Sequence, residues 1–409
     1  MKLLFKAIFI FTFLIIWSLS QGQSADTSHL RISLITCGPA DELYSIWGHS
    51  AIRVIDSSSG MDVAFNYGTF DKSDPYFYLK FTRGIMQYAL SVDNYNIFLQ
   101  EYKQDHRSVI EQKLMLNGEQ KERLLNLLKI NALEENRYYN YRFYEDNCTT
   151  RAKGIINKSS HNSIFFKNIL TGKAPTYREL IHKNLDSCHQ YWSKFAIDFL
   201  LGSNLDKQIT NEQSMFLPDY LMQGFDSATL QQYPLVSENK IILKGYNTSN
   251  NMLFITPFNL FSLLALVFIF LSFSKKSKAQ KVLRIADAIF FFSLGLLGIL
   301  IIFVWVGRVD SVCTNNLNVL WAWPTHIFVV FLSKKKHIWI KNYFRIAALV
   351  ALLILLGWPW LPQQLNIAFA PLLIIIMQRG YLISSKDRYA PEENPRDLYT
   401  DRSPIAEWQ

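Results

Sequence analysis

Up to about residue 250, apolar positions come in short runs broken by polar residues. Leu30 to Thr36 reads as a β-strand, and Asp41 to Tyr44 as a polar helix or loop. Ser50 to Asp56 alternates apolar with polar, turns at Ser57-Ser58-Ser59-Gly60, and returns as Met61 to Tyr67, closed by Gly68. That pattern predicts a hairpin, with His49 opening its first strand. Tyr76 to Ile85 and Gln87 to Val92 are aromatic-rich, and Asn94 to Lys103 reads as a helix. Ser108 to Leu116 alternates like a strand, Asn117-Gly118 reads as a turn, and Glu119 to Asn131 carries Leu124, Leu125, Leu127, Leu128 and Ile130 at helical spacing. A polar, Tyr-rich approach from Asn136 to Phe143 leads to Tyr144-Glu145-Asp146-Asn147-Cys148-Thr149-Thr150-Arg151, and helical character resumes from Ala152 to Ile156. Residues 160–235 read as mostly helical, with Leu180, Ile181, Phe195, Ile197, Phe199 and Leu200 as core. Pro218 and Pro234 punctuate the end, and Ser237 to Leu243 reads as a last strand.

Beyond residue 250 the pattern changes. Five apolar runs follow: Leu253 to Phe273, Ile285 to Val306, Leu317 to Leu332, Ile346 to Leu361 and Leu365 to Gln378. The first two are long enough to span a bilayer, while the others are short or interrupted by Pro324, Pro359, Pro362 and Pro371. Lys275, Lys276, Lys278, Lys281 and Arg284 lie in one connection, and Lys334, Lys335, Lys336, Lys341 and Arg345 in another. Arg379, Lys386 and Arg388 follow the last run, whereas Gly307 to Asn316 and Gly357 to Asn366 carry almost no net charge. Cytoplasmic loops collect Lys and Arg, so the basic loops and tail face the cytoplasm and residues before 250 face the other side. The N-terminus agrees: Lys2 and Lys6 precede the apolar run Ala7 to Trp17 and then small residues, the form of a secretory signal or an uncleaved anchor. The expected divisions are 1–25 as signal peptide or anchor, 26–250 as an extracytoplasmic domain, 251–383 as a membrane bundle and 384–409 as a cytoplasmic tail.

Composition sharpens this in two places. The formal net charge of +9 would suit nucleic acid or anionic lipid, but its clustering between apolar runs makes it a topology signal. The four cysteines, Cys37, Cys148, Cys188 and Cys313, form no metal-binding spacing and are too few for a disulfide scaffold; Cys37 with Cys188 is the one pair to consider for a bridge. No cofactor or nucleotide motif is visible.

Cys148 stands just inside an expected helix start, where unpaired N–H groups and the helix dipole favour a thiolate. Asp146 and Asn147 are both good helix caps. The plain alternative is a buried or bridged cysteine. A nucleophilic cysteine needs a base, and His49, after Gly48 and at the head of a strand, is the best placed of eight histidines. A polar side chain on the following strand would orient the imidazole, with Asn66 first and Asp62 second. His29, His106, His161, His182 and His189 lie in polar segments, His337 among lysines, and His326 in an apolar run. His326 and the nearby Trp321, Ala322 and Trp323 are either functional polar groups at the membrane or packing with an interfacial tryptophan belt.

A base on a strand, followed about a hundred residues later by Asn-Cys at a helix start, resembles the circularly permuted NlpC/P60 papain-like fold, as in the lecithin:retinol acyltransferase group. Four motifs resemble more closely the Lnb-type lipoprotein N-acyltransferase family. They are Trp47-Gly48-His49-Ser50-Ala51-Ile52-Arg53-Val54, Phe65-Asn66-Tyr67-Gly68-Thr69-Phe70, Phe77-Tyr78-Leu79-Lys80-Phe81 and Asp146-Asn147-Cys148-Thr149-Thr150-Arg151. The resemblance covers roughly Leu30 to Thr171 and more loosely the membrane half. It implies an α+β, permuted papain-like domain outside the cytoplasm, followed by an all-α bundle of about five helices in the bacterial inner membrane. It implies N-acylation of the amino-terminal cysteine of lipoproteins through an acyl-thioester on Cys148, with His49 and Asn66 completing the site and no metal or cofactor. The substrates would be a diacylated lipoprotein and a phospholipid, or the lipoprotein alone. Arg53, Lys80 and Arg151 would bind a phosphate or else pair with carboxylates. Tyr67 and Tyr144 would line the site or simply pack, and Asp146 and Asn147 would flank the substrate. The rival is a cell-envelope cysteine hydrolase of the NlpC/P60 type, against which the multi-span bundle argues.

Overall fold

The computed structural model of the chain describes residues 28–40, 42, 45–70, 74–245, 255–333 and 337–385. The expected signal segment and nearly all of the tail lie outside them. Two compact units emerge: residues 1–180 with 208–250, and residues 181–207 with 251–409. The segment 181–207, which a division at residue 250 would leave in the first unit, therefore belongs to the second.

The first unit is mixed α and β. Besides a small three-stranded sheet of two-residue strands, its strands are β1 (Leu30–Cys37), β2 (His49–Asp56), β3 (Met61–Thr69), β4 (Met86–Asn94), β5 (Val109–Leu114), β6 (Tyr138–Tyr141) and β7 (Val236–Leu243). They form one seven-stranded sheet in the order β7-β5-β1-β2-β3-β4-β6, with every neighbouring pair antiparallel. Its helices include α1 (Phe77–Arg83), α2 (Tyr95–Gln104), α3 (Gly118–Ala132) and α4 (Cys148–Ser159). β1 is buried along nearly its whole length because both faces of the sheet are covered. On one face Ile32, Leu34, Ile52, Val54, Phe65 and Leu90 pack against Leu124, Leu125 and Leu128 of α3 and Ala152 and Ile156 of α4. On the other, Ile35, Ala51 and Ala64 pack against Tyr95, Phe98 and Tyr102 of α2. Each large apolar side chain so buried contributes about 1.5–3 kcal/mol before entropy is counted.

The predicted hairpin forms, with Ile52 opposite Phe65 and Asp56 opposite Met61. Asn117, expected in a turn, instead caps α3: its side chain accepts from Gln120 N while Gln120 reaches back to the Asn117 N–H. β6 is the strand that the sequence pattern hid. Its letters are Tyr-Tyr-Asn-Tyr, so the alternation of Tyr139 and Tyr141 inward against Tyr138 and Asn140 outward leaves no hydropathy signal.

The second unit is helical. Two of its helices are long and apolar enough to cross a membrane, Ser277–Gly307 and Ile338–Trp360, and two shorter apolar helices are Pro257–Phe273 and Phe369–Ser385. The run Leu317 to Leu332 is a chain of short pieces, Leu317–Leu320, His326–Val329 and Val330–Leu332, with Pro324 between the first two. A Cβ on Gly298 would stand 2.1 Å from the Ala322 carbonyl oxygen, so only glycine lets this broken segment approach the long helix. Arg379 donates to both carboxylate oxygens of Asp287, at 2.7 and 2.8 Å, and to Ser272 Oγ at 2.8 Å. Three apolar helices are thereby tied at a charge that is matched where it is buried. The Asn-rich stretch also has a use. Asn316 Nδ2 donates to the Phe199 and Leu200 carbonyls, Asn318 Nδ2 to those of Asp198 and Phe199, and Asn366 to Asp198 Oδ2. These bonds hold the end of the helix Tyr191–Leu200 against the loops of its own unit. His326 is packed rather than open: its Nδ1 accepts from Tyr343 Oη at 2.8 Å and its ring stacks on Trp323.

Candidate active site

Three elements bring the site together. The chain enters β2 through Gly48, whose φ of +80° disfavours a side chain. A Cβ there would lie 2.5 Å from the Cys37 carbonyl oxygen. That turn sets His49 opposite Cys37 as the first residue of β2. The next strand, β3, presents Asn66, whose Oδ1 accepts a hydrogen bond from His49 Nε2. Of the two polar residues on this strand, Asn66 is the one that reaches His49. Asp62 instead accepts two bonds from Arg53, at 2.8 and 2.7 Å.

Cys148 is the first residue of α4. Asn147 is its cap. Asn147 Oδ1 accepts from Thr150 N and Thr150 Oγ1 accepts from Asn147 N, each at 2.8 Å. Asn147 Nδ2 donates to the carbonyls of Phe143 and Phe216 at 2.8 and 2.9 Å. The cap residue is thus anchored on two sides, and the cysteine beside it has little freedom. As the first helical residue, Cys148 has a backbone N–H without an intrahelical acceptor.

His49 and Cys148 converge over Gly68, in the bulge of β3 between Tyr67 and Thr69. The position that a Gly68 Cβ would take is 3.6 Å from Cys148 Cβ, 3.9 Å from His49 Cε1 and 4.0 Å from Tyr139 Oη. Cys148 and His49 meet there, near enough for each to shift the other's ionisation. Because Nε2 is committed to Asn66, Nδ1 is the ring nitrogen that serves the thiol.

The electrostatics follow from this pairing. Burial pushes the Cys148 thiol up, but the His49 charge and hydrogen bond, the Ser50 N–H and the Thr149 hydroxyl outweigh it and bring the pKa down to about 7. For His49 burial pulls the pKa down, and the Cys148 charge with the bonds to Cys148 and Asn66 raises it above its ordinary value. Both shifts favour a thiolate–imidazolium pair. Cys37 shows the opposite case: deep burial pushes its thiol to about 12. Cys37 and Cys188 are both free, so the bridge considered from sequence is not made.

The remaining residues singled out from sequence divide clearly. Arg53 does not face the site as a free cation. Besides Asp62 it donates to Glu111 at 3.0 Å, and its guanidinium lies 3.5 Å from the Tyr95 ring centroid. Lys80 pairs with Asp74 at 2.6 Å. Arg151 donates to both oxygens of Asp146, at 2.6 and 2.8 Å, and lies over the Tyr139 ring. Tyr67 is buried and accepts from Asn131 at 2.8 Å, and Tyr144 packs on Tyr177. In each case the alternative of pairing or packing describes what the side chain does in the fold. The sequence assigned no role to Ser50 and Thr149, although both lie inside the quoted motifs, nor to Tyr139, which lies in the Tyr-rich approach to Cys148. Among the described residues no group of His, Cys, Asp and Glu is placed to hold a metal ion.

Comparison with known proteins adds the family. Residues 20–183 match the Lnb N-terminal periplasmic domain, and residues 248–388 match the Lnb transmembrane domain. No curated protein and no solved structure matches the chain. With the two matched domains following one another along most of its length, the chain belongs to the Lnb family and is a membrane protein with a periplasmic domain.

Proposed function

We propose that this protein is a thiol acyltransferase of the bacterial inner membrane that N-acylates the amino-terminal cysteine of lipoproteins through an acyl-thioester on Cys148. The family points to a membrane enzyme of lipoprotein modification, and the observation that carries the chemistry is the line Cys148, His49, Asn66. In this reading the periplasmic unit is a permuted papain-like domain, and the helical unit is a multi-pass bundle with its basic loops in the cytoplasm.

The Cys148 thiolate attacks the carbonyl carbon of a glyceryl ester. The carbonyl electron pair moves to oxygen, then returns as the C–O bond breaks. The departing alkoxide takes its proton from the His49 imidazolium, leaving an acyl-thioester and a lyso product. The free α-amine of the lipoprotein cysteine then attacks the thioester. His49 Nδ1 takes the amine proton, and the thiolate leaves. Asn66 holds the ring so that Nδ1 faces sulfur in both half-reactions. The ester is supplied by a phospholipid or by the lipoprotein's own diacylglyceryl group. Cys148 is 9% exposed, and a shielded thioester favours an amine delivered with the lipid over bulk water. That supports transfer over the hydrolase alternative.

The test is mass spectrometry of a reporter lipoprotein's amino terminus in cells lacking their own N-acyltransferase, carrying the wild type or Cys148→Ala. N-acylation by the wild type alone is expected. A free amine with both would sink the transferase reading and leave the hydrolase in its place.

A further inference from the structure

We infer that Tyr139 is a further catalytic residue, its hydroxyl supplying the second donor, beside the Cys148 N–H, to the oxyanion formed at the reacting carbonyl. The inference rests on the acyl-thioester chemistry proposed above and adds a residue to it.

Three observations meet at this side chain. First, the hydroxyl is in the site: Cys148 Cβ, His49 Cε1 and Tyr139 Oη all lie within 4.0 Å of the one point over Gly68. Second, it has nothing to bond. Tyr139 is 7% exposed, and among the described residues its Oη is buried without a hydrogen-bond partner. A buried hydroxyl left unpaired costs about 1–3 kcal/mol, and buried polar groups are otherwise nearly always bonded. Tyr67, its edge-on neighbour, shows the usual outcome, bonded to Asn131. Third, the ring is held from two sides. β6 pairs Tyr139 with Tyr88 of β4, and Arg151 lies with its guanidinium carbon 3.6 Å from the ring centroid, itself fixed by Asp146. Arg151 follows Cys148 by one helical turn, so the helix that carries the nucleophile also clamps the donor. This gives Asp146 and Arg151 a purpose that pairing alone does not explain.

Burial, then the charge of Cys148, raises the Tyr139 pKa, so the phenol keeps its proton throughout. It donates a hydrogen bond and transfers nothing. As sulfur bonds to the carbonyl carbon, the carbonyl oxygen gains the electron pair and sits between Tyr139 O–H and Cys148 N–H. The pair returns as the alkoxide or thiolate leaves. A donor that is orphaned in the resting site and satisfied in the transition state stabilises the second more than the first.

The experiment compares two reactions of Cys148 in the full-length protein in detergent. Acylation by p-nitrophenyl butyrate passes through an oxyanion; alkylation by iodoacetamide does not. With Tyr139→Phe, the acylation burst is expected to slow about 10²- to 10³-fold, with the alkylation rate unchanged and the melting midpoint no lower, since the change removes an unpaired buried hydroxyl. Tyr139→3-fluorotyrosine, which keeps a hydroxyl, is expected to restore the burst. An unchanged burst in Tyr139→Phe overturns the inference, and so does an equal slowing of both reactions, which would place Tyr139 with the thiolate instead. A wild type that is acylated by the ester yet leaves lipoprotein amines free refutes N-acyl transfer without touching Tyr139.

Discussion

Asn66 Oδ1 accepts from His49 Nε2, and an amide oxygen can only accept. Nε2 therefore carries a proton in both charge states of the ring, and in the proposed mechanism the proton that moves is the one on Nδ1. The orienting residue thus fixes which nitrogen works as well as where the ring points. For Asn66→Ala, acyl transfer is expected to fall roughly 10- to 100-fold, part of the 10² to 10⁴ that general acid–base catalysis supplies. The fall should appear in kcat with little change in KM, as steady-state kinetics would show. A raised KM with kcat unchanged would mean that Asn66 binds substrate instead.

The ion pair sets the pH dependence. The Cys148 pKa is lowered to about 7, so thiolate is lost as pH falls through that value. His49 is raised, so its acidic proton is present below its shifted pKa and lost as pH climbs through it. Transfer should therefore follow a bell whose acid limb lies near pH 7, a property of the coupled pair rather than of either residue. The iodoacetamide rate of wild type should rise through the same pH. In His49→Ala that midpoint moves up, towards the ordinary thiol value; a midpoint that stays put would show that His49 does not activate Cys148.

Asn147 joins stability to the site. Its side chain caps α4 and donates to two carbonyls. Asn147→Ala is expected to cost about 1–2 kcal/mol for the cap and more for the two carbonyls left behind. A lower thermal midpoint and slower alkylation of Cys148 should come together, because the cap sets the cysteine's position. Slower alkylation at an unchanged midpoint would contradict a capping role.

Arg53 separates fold from function. Its charge is matched by Asp62 and Glu111 on the face covered by α2. Arg53→Met should destabilise the periplasmic unit by about 3 kcal/mol, since it takes the close cation from buried Glu111 and leaves only the half-exposed Arg31, 3.9 Å away. Denaturant unfolding would measure this. Alkylation of Cys148 at low temperature should remain close to wild type. A selective rise in KM for a phospholipid at full stability would restore Arg53 as a phosphate ligand.

Sequence and tertiary structure contributed different things here. Local chemistry was legible: the hairpin came from alternation around Ser57 to Gly60, the start of α4 from Asn147 before Cys148, and the membrane half from runs of apolar residues flanked by lysines. Each depends on neighbours in the chain, whose spacing is written in the sequence. The contact of His49 with Asn66 was also within reach, because the hairpin lays the start of β2 beside the end of β3. What each charged side chain would bond could not be read. Arg53 meets Glu111, and Arg151 meets Tyr139, only because β1, β2 and β5 stand side by side in the sheet and because β6 closes its far edge. β6 has no alternating signal, since tyrosine stands at both an outward position, Tyr138, and an inward one, Tyr139, so the convergence of Tyr139 with Cys148 and His49 over Gly68 belonged to the tertiary structure alone. The same holds for the segment 181–207, whose helix Tyr191–Leu200 belongs with the membrane unit through buried asparagines of that unit, contacts more than a hundred residues apart in the chain.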